Sequence, residues 1–174
     1  ADSGAQRCDR QLLRNGRVQQ RPRRVDEGRG QPTQQQVQLA QRRKQAQRYT
    51  EGLRASPGWG VPEEPAWARS NWQSYCACLP PTLDLRRFMQ RLLDVGIALR
   101  RGVNCAHREP AYPPATWHCG PAGCPHRCGP GSCERLRNSE AAQDRSVILP
   151  LFHQLSEAEQ DRVIRELLAA SEGC

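Results

Sequence analysis

The chain is 174 residues long, which is enough for one domain of ordinary size. Hydrophobic residues make up only 37% of it and aromatic residues 5%, while glycine and proline contribute 14 residues each. Because segments so poor in large apolar side chains cannot offset the entropy lost on ordering, we expect a core over only part of the chain. The sequence holds no apolar run long enough to span a membrane and no signal-peptide pattern at its start.

The formal net charge of +8 lies entirely in the N-terminal quarter. Residues 1–48 hold 12 Lys and Arg against 4 Asp and Glu, whereas residues 49–174 hold 14 of each kind. Such a basic segment can bind nucleic acid or an anionic surface through counterion release, and it can equally be a solvated tail. Since no aromatic residue precedes Tyr49, we interpret residues 1–32 as a disordered tail, with non-specific nucleic-acid binding as the alternative.

The cysteines indicate the redox compartment of the protein, and the scarcity of lysine limits its possible amine chemistry. Nine cysteines without a secretion signal suggest the reducing cytoplasm, where clustered thiols bind metal more often than they form disulfides. The first residue is Ala1 rather than Met, which suggests a fragment, a processed product or an interrupted reading frame. Lys44 is the only lysine, which limits any chemistry that needs an amine.

A long amphipathic helix is the first element that the sequence predicts. Helix-forming residues dominate from Gln34 to Ser56, and apolar residues at spacings of seven, three and four share one face: Leu39, Ala46, Tyr49 and Leu53. Pro57 and Gly58 end this helix, and the proline-punctuated residues 62–68 form a linker.

A strand, a helix and a second strand follow. Residues 71–79 read as a strand that two prolines stop. Thr82 is the expected N-cap of the next helix, with Asp84 in its first turn. Gly96 is the expected end of that helix, and residues 97–103 read as the second strand. The apolar face of the helix has the three–four period: Leu85, Phe88, Met89, Leu92 and Leu93.

The last third begins with a segment almost free of apolar residues. Residues 113–137 consist largely of Pro, Gly, Cys and Arg, which predicts a loop or an insertion. Asn138 is the expected cap of a short helix through Arg145, and residues 147–149 read as a buried strand. Ser156 opens a capping box for the last helix. Its buried face is Val163, Ile164, Leu167 and Leu168.

The order of these elements predicts a small α+β domain over residues 33–174, in which helices cover a three-stranded sheet. Its core is modest and its strands are short. We therefore expect a domain that docks on something larger.

Three segments carry a resemblance to one family: EEPAWARSNWQSYC at 63–76, LLDVGIALRRGVNCAHREPAY at 92–112 and SEAAQDRSVILPLFHQLSEAEQDRVIRELL at 139–168. They are similar to the C-terminal part of the DegT/DnrJ/StrS family of nucleotide-sugar aminotransferases, which depend on pyridoxal phosphate (PLP). The segment QLAQRRKQAQRYTEGL at 38–53 resembles a long helix of that family.

The resemblance implies the type I aminotransferase fold, PLP as cofactor and a homodimer with active sites at its interface. It implies a nucleotide-linked keto-sugar as substrate and an amino acid as donor. The Schiff-base lysine belongs to a large domain N-terminal to every matched segment, and Lys44 lies instead among Gln and Arg on a helix. The family's Asn-aromatic-Arg-Met stretch, which reaches the PLP phosphate of the partner, is replaced by GRGQPTQQQV at 28–37. We therefore expect the C-terminal small domain of such an enzyme, inactive alone.

The segment after the second predicted strand is where the family's small domain approaches the substrate. The resemblance implies candidate contacts there from Arg101, Asn104, His107, Arg108 and Tyr112. His107 could hydrogen-bond a sugar hydroxyl, and either arginine could face a diphosphate. The alternative is that all five are ordinary rim residues of an exposed loop. The sequence offers no catalytic residue.

A second candidate site is a cluster of six metal-ligating residues: His118, Cys119, Cys124, His126, Cys128 and Cys133. The unit C-G-P-x-x-C occurs twice in it. Zinc prefers four tetrahedral thiolate or imidazole ligands from close pairs, and four intervening residues lie at the edge of the usual spacing. The alternative is a disordered insertion with incidental cysteines. A zinc-binding interaction module over residues 105–133 is therefore the second functional hypothesis.

Overall fold

The computed structural model describes residues 31–112, 128–129 and 131–172. Within them the chain forms four α-helices and five short strands, in the order α1 (Gln34–Arg54), β1 (Tyr75–Cys78), α2 (Leu85–Asp94), β2 (Arg100–Arg101), β3 (Cys128–Gly129), β4 (Ser132–Cys133), α3 (Arg137–Arg145), β5 (Ser146–Leu149) and α4 (Glu157–Glu172). The predicted fold class, a small α+β domain with a three-stranded sheet covered by helices, is confirmed.

The sheet is antiparallel, and its last strand lies in the middle, in the order β1-β5-β2. Tyr75 pairs with Leu149 and Ala77 pairs with Val147, and all four side chains are buried. Since side chains alternate between the faces of a strand, these pairs define the core face of the sheet.

Helices α1, α2 and α4 pack on that face. The buried cluster contains Ala46, Tyr49 and Leu53 of α1, Leu85, Phe88 and Leu92 of α2, and Val163, Leu167 and Ala170 of α4. The predicted apolar faces thus form the core with two exceptions: Leu39 of α1 lies outside the buried cluster, and Leu93 of α2 is exposed. Leu93 follows the buried Leu92 directly, and one residue turns a helix by about a quarter of a circle, so Leu93 points away from the sheet.

Helix α1 begins with a capping box, in which Thr33 and Gln36 each bind the backbone N–H of the other. Within the buried face of α1, the Tyr49 hydroxyl donates to the carbonyl of Pro150 at 2.7 Å. Gly52 faces Ile164 of α4 so closely that a Cβ there would lie 2.9 Å from the nearest methyl carbon. The glycine therefore sets how near the two helices approach.

The N-cap of α2 is Asp84, and the prediction of Thr82 was wrong. The Asp84 carboxylate accepts from the Arg87 N–H at 2.8 Å. Pro80 and Leu83 close a turn through a backbone hydrogen bond, which delays the helix by two residues. Gly96 ends the helix as predicted: its φ is 78°, and its N–H donates to the carbonyl of Leu93.

The first strand begins four residues later than the sequence predicts. The Ser70 and Asn71 side chains accept from the backbone N–H groups of Trp72 and Gln73. These local bonds compete with a sheet ladder, and Trp72 takes a φ of 47°, which no strand residue adopts. The strand therefore starts only at Tyr75.

The second strand is shorter than predicted, because its partner β5 is only four residues long and follows α3 without a loop. Ile97 and Leu99 enter the core without joining the ladder. Helix α3 begins at Arg137, directly after the 3-10 turn Glu134–Leu136, so Asn138 is inside the helix and is not its cap.

The expected loop over residues 113–137 contains regular structure at its end. Strands β3 and β4 form a hairpin whose Gly131 has a φ of 69°, and a 3-10 turn follows. Residues 113–127 lie outside the described part of the chain.

The last helix begins as the sequence predicts. The Ser156 N–H donates to the Glu159 carboxylate at 2.8 Å, and the Ser156 hydroxyl accepts from the Glu159 N–H at 3.3 Å. None of the helices in the described residues is long and apolar enough to cross a membrane.

Candidate functional site

An open cavity of about 410 Å³ lies beside the segment that follows β2. Its walls come from that segment and from the start of α3, which the chain reaches only after the β3–β4 hairpin. The lining residues are Val103, Asn104, Cys105, Ala106, His107, Tyr112, Leu136 and Ser139. The wall is mostly apolar, with a few polar groups, which is the usual make-up of a small-molecule site.

Three of the five predicted substrate residues line this cavity: Asn104, His107 and Tyr112. Arg101 is on β2, opposite Val147, two residues before the wall begins. Arg108 is next to His107 in the 3-10 turn Ala106–Arg108. The segment therefore brings three of the five candidates to one cavity, while the roles of all five toward a substrate stay predictions.

His107 is held from behind by a buried carboxylate. Its Nε2 lies 2.7 Å from Oε1 of Glu140, and only 7% of the His107 side chain and 11% of the Glu140 side chain are exposed. The histidine is thus fixed in the wall by α3 and is not a loose rim residue.

The Arg108 guanidinium is directed at the hairpin and at α3. Its Nε donates to the carbonyl of Gly131 at 2.9 Å, and Nη1 donates to the Asp144 carboxylate at 2.6 Å. Nη2 lies 3.6 Å from Oε2 of Glu140. Arg108 therefore holds the structure around the cavity in this conformation, and its contact with a diphosphate stays a prediction.

Glu140 has opposing influences on its charge. Burial disfavours the carboxylate, but hydrogen bonds from His107 and from the Cys133 N–H, together with the charge of Arg108, hold the pKa of Glu140 below its usual value. The carboxylate is therefore the form that the fold stabilises. Burial also raises the pKa of the Cys105 thiol, which disfavours a thiolate in the cavity wall.

Sequence reasoning missed Glu140, Asp144 and the part of the wall that α3 contributes. The hydrogen bond from His107 to Glu140 spans 33 residues, and no local pattern connects them. The available signal was the helical spacing of Glu140 and Asp144, which places two carboxylates on one face of a short helix.

The predicted zinc ligands fall mostly outside the described residues. Four of the six, His118, Cys119, Cys124 and His126, are in residues 113–127. Cys128 and Cys133 are Cα partners across the β3–β4 hairpin, and the Cys133 side chain is buried. Among residues 31–112, 128–129 and 131–172 there is no group of three or more His, Cys, Asp or Glu residues that could hold a metal ion.

Lys44 does not fit the role of a PLP lysine. A Schiff-base lysine is activated by desolvation or by a neighbouring cation. The Lys44 side chain is 67% exposed, and its ammonium group lies 2.5 Å from the Glu157 carboxylate on α4. Lys44 and Arg48, which contacts Asp161, instead join α1 to α4, so the described part of the basic segment is engaged in the fold.

Comparison with known proteins identifies the family of this chain. The model of the DegT/DnrJ/EryC1/StrS aminotransferase family matches residues 28–168. This match places the chain among the aminotransferases. The chain belongs to the DegT/DnrJ/EryC1/StrS aminotransferase family. No curated protein matches the chain.

Solved structures agree with this assignment. The aminotransferase TlmJ from Streptoalloteichus hindustanus is 25% identical, with a TM-score of 0.59 over 76% of this chain. A family aminotransferase from Brucella abortus is 27% identical, with a TM-score of 0.57 over 77% of this chain. A Streptococcus pneumoniae protein assigned as a sugar aminotransferase, in its PLP form, shares the fold at 20% identity, with a TM-score of 0.59 over 78% of this chain. The chain spans 31% of the length of each.

Proposed function

We propose that this chain is the C-terminal part of a PLP-dependent aminotransferase that transfers an amino group from an amino acid, such as glutamate, to a nucleotide-linked keto-sugar. The observation that carries the proposal is the family match over residues 28–168, together with the cavity that Asn104, His107 and Tyr112 line. The sugar-aminotransferase relatives support the substrate class, and the PLP form of one relative supports the cofactor.

In this proposal the chain supplies the small-domain wall of the substrate cleft. His107 and Asn104 provide polar groups for sugar hydroxyls, while the apolar side chains of Val103 and Leu136 contact the less polar face of the ring. Arg101 and Arg108 are the two candidates for a diphosphate contact. Tyr112 is 54% exposed at the rim, where an aromatic ring can cover a bound ligand.

The amine that holds the cofactor comes from outside this chain. PLP supplies an electron sink when it is bound. The only lysine here is exposed and ion-paired, so no step at the cofactor is assigned to these residues. This chain spans only 31% of the length of the similar aminotransferases, which is consistent with a large domain elsewhere in a longer protein. The family homodimer and a cytoplasmic location belong to the same proposal.

The test is a comparison of the chain alone with its Lys44→Arg variant. With PLP at equimolar concentration, glutamate and a nucleotide-linked keto-sugar, we expect no turnover and no saturable aldimine absorbance from either protein. A saturable band that disappears in Lys44→Arg would contradict the proposal, since the chain would then carry its own cofactor amine. Amino-sugar formation by the unmodified chain would contradict it as well.

A zinc-binding module is the second candidate, and one observation favours it. Cys128 and Cys133 are directly opposite each other in the hairpin, and such partners have Cα atoms about 5 Å apart, close enough for two residues to share an ion. Elemental analysis after extensive dialysis under reducing conditions tests it. One zinc per chain, lost in Cys133→Ser, would support the module, and protein without stoichiometric zinc would end it.

A further inference from the structure

Glu140 is the point at which three separate segments meet. Its Oε1 accepts from Cys133 N–H at 2.6 Å and lies 2.7 Å from His107 Nε2, while its Oε2 lies 3.6 Å from Arg108 Nη2. Glu140 itself is in the first turn of α3. The cavity wall, the hairpin and the helix therefore share one buried carboxylate.

We propose that Glu140 is a positioning residue for substrate binding: it fixes the ring orientation and tautomer of His107 in the cavity wall. The proposal rests on the function proposed above, because it assigns His107 to the substrate. Glu140 does not line the cavity, so it acts through the histidine and is not itself a catalytic residue.

The chemistry of the pair determines where the histidine carries its proton. An ionised carboxylate can only accept hydrogen bonds, so the His107 nitrogen that faces it must be the protonated one. That nitrogen is Nε2, at 2.7 Å. When the imidazole is neutral, the other ring nitrogen is then the acceptor, which is how a carboxylate selects a tautomer and an orientation.

The same carboxylate links the histidine to the hairpin. The Cys133 N–H donates to Oε1 of Glu140, the same oxygen that His107 contacts. Arg108, which follows His107 in the chain, donates to the carbonyl of Gly131 in the hairpin turn. A displacement of the hairpin would therefore move both Glu140, which accepts from His107, and Arg108, which is next to His107 in the chain. The geometry of the cavity wall depends on the hairpin through Glu140.

A purely structural role is the competing explanation, in which Glu140 only binds the hairpin. Three variants separate the two. Glu140→Gln keeps the shape of the side chain and removes its charge, and Glu140→Ala removes every acceptor. Asp144→Asn is the matched control, since Asp144 is a carboxylate on the same helix that contacts Arg108 and has no bond to His107 in the described structure.

The first measurement is the nitrogen NMR signature of His107 in the whole chain labelled with ¹⁵N-histidine. We expect the wild type and Asp144→Asn to show one tautomer, with the proton on Nε2, and Glu140→Ala to show a mixture. Backbone amide spectra report whether each variant is folded, and Glu140→Leu, which also lacks an acceptor, serves if the alanine variant is not. An unchanged tautomer in folded Glu140→Ala or Glu140→Leu overturns the proposal.

The second measurement is the affinity for UDP-glucose, a stable stand-in for a nucleotide-linked keto-sugar. Because the acceptor of His107 loses its charge, we expect about a tenfold weaker Kd for Glu140→Gln and a smaller change for Asp144→Asn, which contacts Arg108 and not His107. A tautomer change with unaltered affinity overturns the positioning role and leaves the proposed function standing. A wild-type chain with one fixed tautomer and no binding refutes the proposed function, and with it the role of Glu140 toward substrate.

Discussion

Gly102 tests the packing between β2 and the rest of the sheet, because it leaves no room for a side chain. A Cβ at this position would lie 2.4 Å from the Ser146 Oγ and 2.5 Å from the Cys76 Sγ. Both distances are about 1 Å shorter than van der Waals contact. The Ser146 hydroxyl cannot simply rotate away, since it donates to the carbonyl of Ala142 at 2.6 Å. Overpacking of this kind costs about 1–3 kcal/mol, and the loss of the hydroxyl bond places the expected cost of Gly102→Ala in the upper half of that range.

The assay is urea unfolding under reducing conditions, followed by tryptophan fluorescence. Gly129→Ala is the control, because no described atom lies within 4 Å of a Cβ built there. We expect the control to change the free energy of unfolding by less than about 0.5 kcal/mol. Should Gly102→Ala prove as stable as the control, the close approach of Gly102 to Cys76 and Ser146 would be refuted.

Three further predictions concern single contacts. Ser156→Ala removes the cap of α4 and should lower the free energy of unfolding by about 1 kcal/mol in the same urea assay, whereas no change would refute the capping box. Tyr49→Phe removes the donor to Pro150 and should cost about 1 kcal/mol, with near-ultraviolet circular dichroism confirming that the core is intact. Glu140 has a lowered pKa when folded, so its stabilising contribution is complete above its ordinary value of 4.5 and is lost as pH falls through the folded-state value. The stability of Glu140→Gln should accordingly depend less on pH below about 4.5 than that of the wild type, and parallel curves would contradict the charged network.

The helices could be predicted because their signals are local. The period of Ala46, Tyr49 and Leu53 set the buried face of α1, and the Ser156 capping box set the start of α4. The start of β1 failed because side-chain bonds from Ser70 and Asn71 redirect the chain over a few residues. No hydrophobic pattern records such bonds.

The candidate site could be predicted only on one side. The segment after β2 was found through its sequence, and His107 is in the wall of the cavity there. The other side of the cavity depends on α3. His107 contacts Glu140 of that helix and Arg108 contacts Asp144, and each pair is more than thirty residues apart in the chain. Contacts of that range depend on how the hairpin and α3 pack, so they become visible only in the folded chain.

The proposed function requires that the cavity wall of this chain faces a nucleotide-linked sugar. The most direct measurement is a titration of the ¹⁵N-labelled chain with UDP-glucose, with every backbone amide followed. We expect saturable shifts concentrated in the residues that surround the cavity: Val103–His107, Tyr112, Leu136 and Ser139. Shifts that cluster instead beside α1, around Arg43 and Arg69, or no saturable shifts at millimolar ligand, would contradict the proposed function.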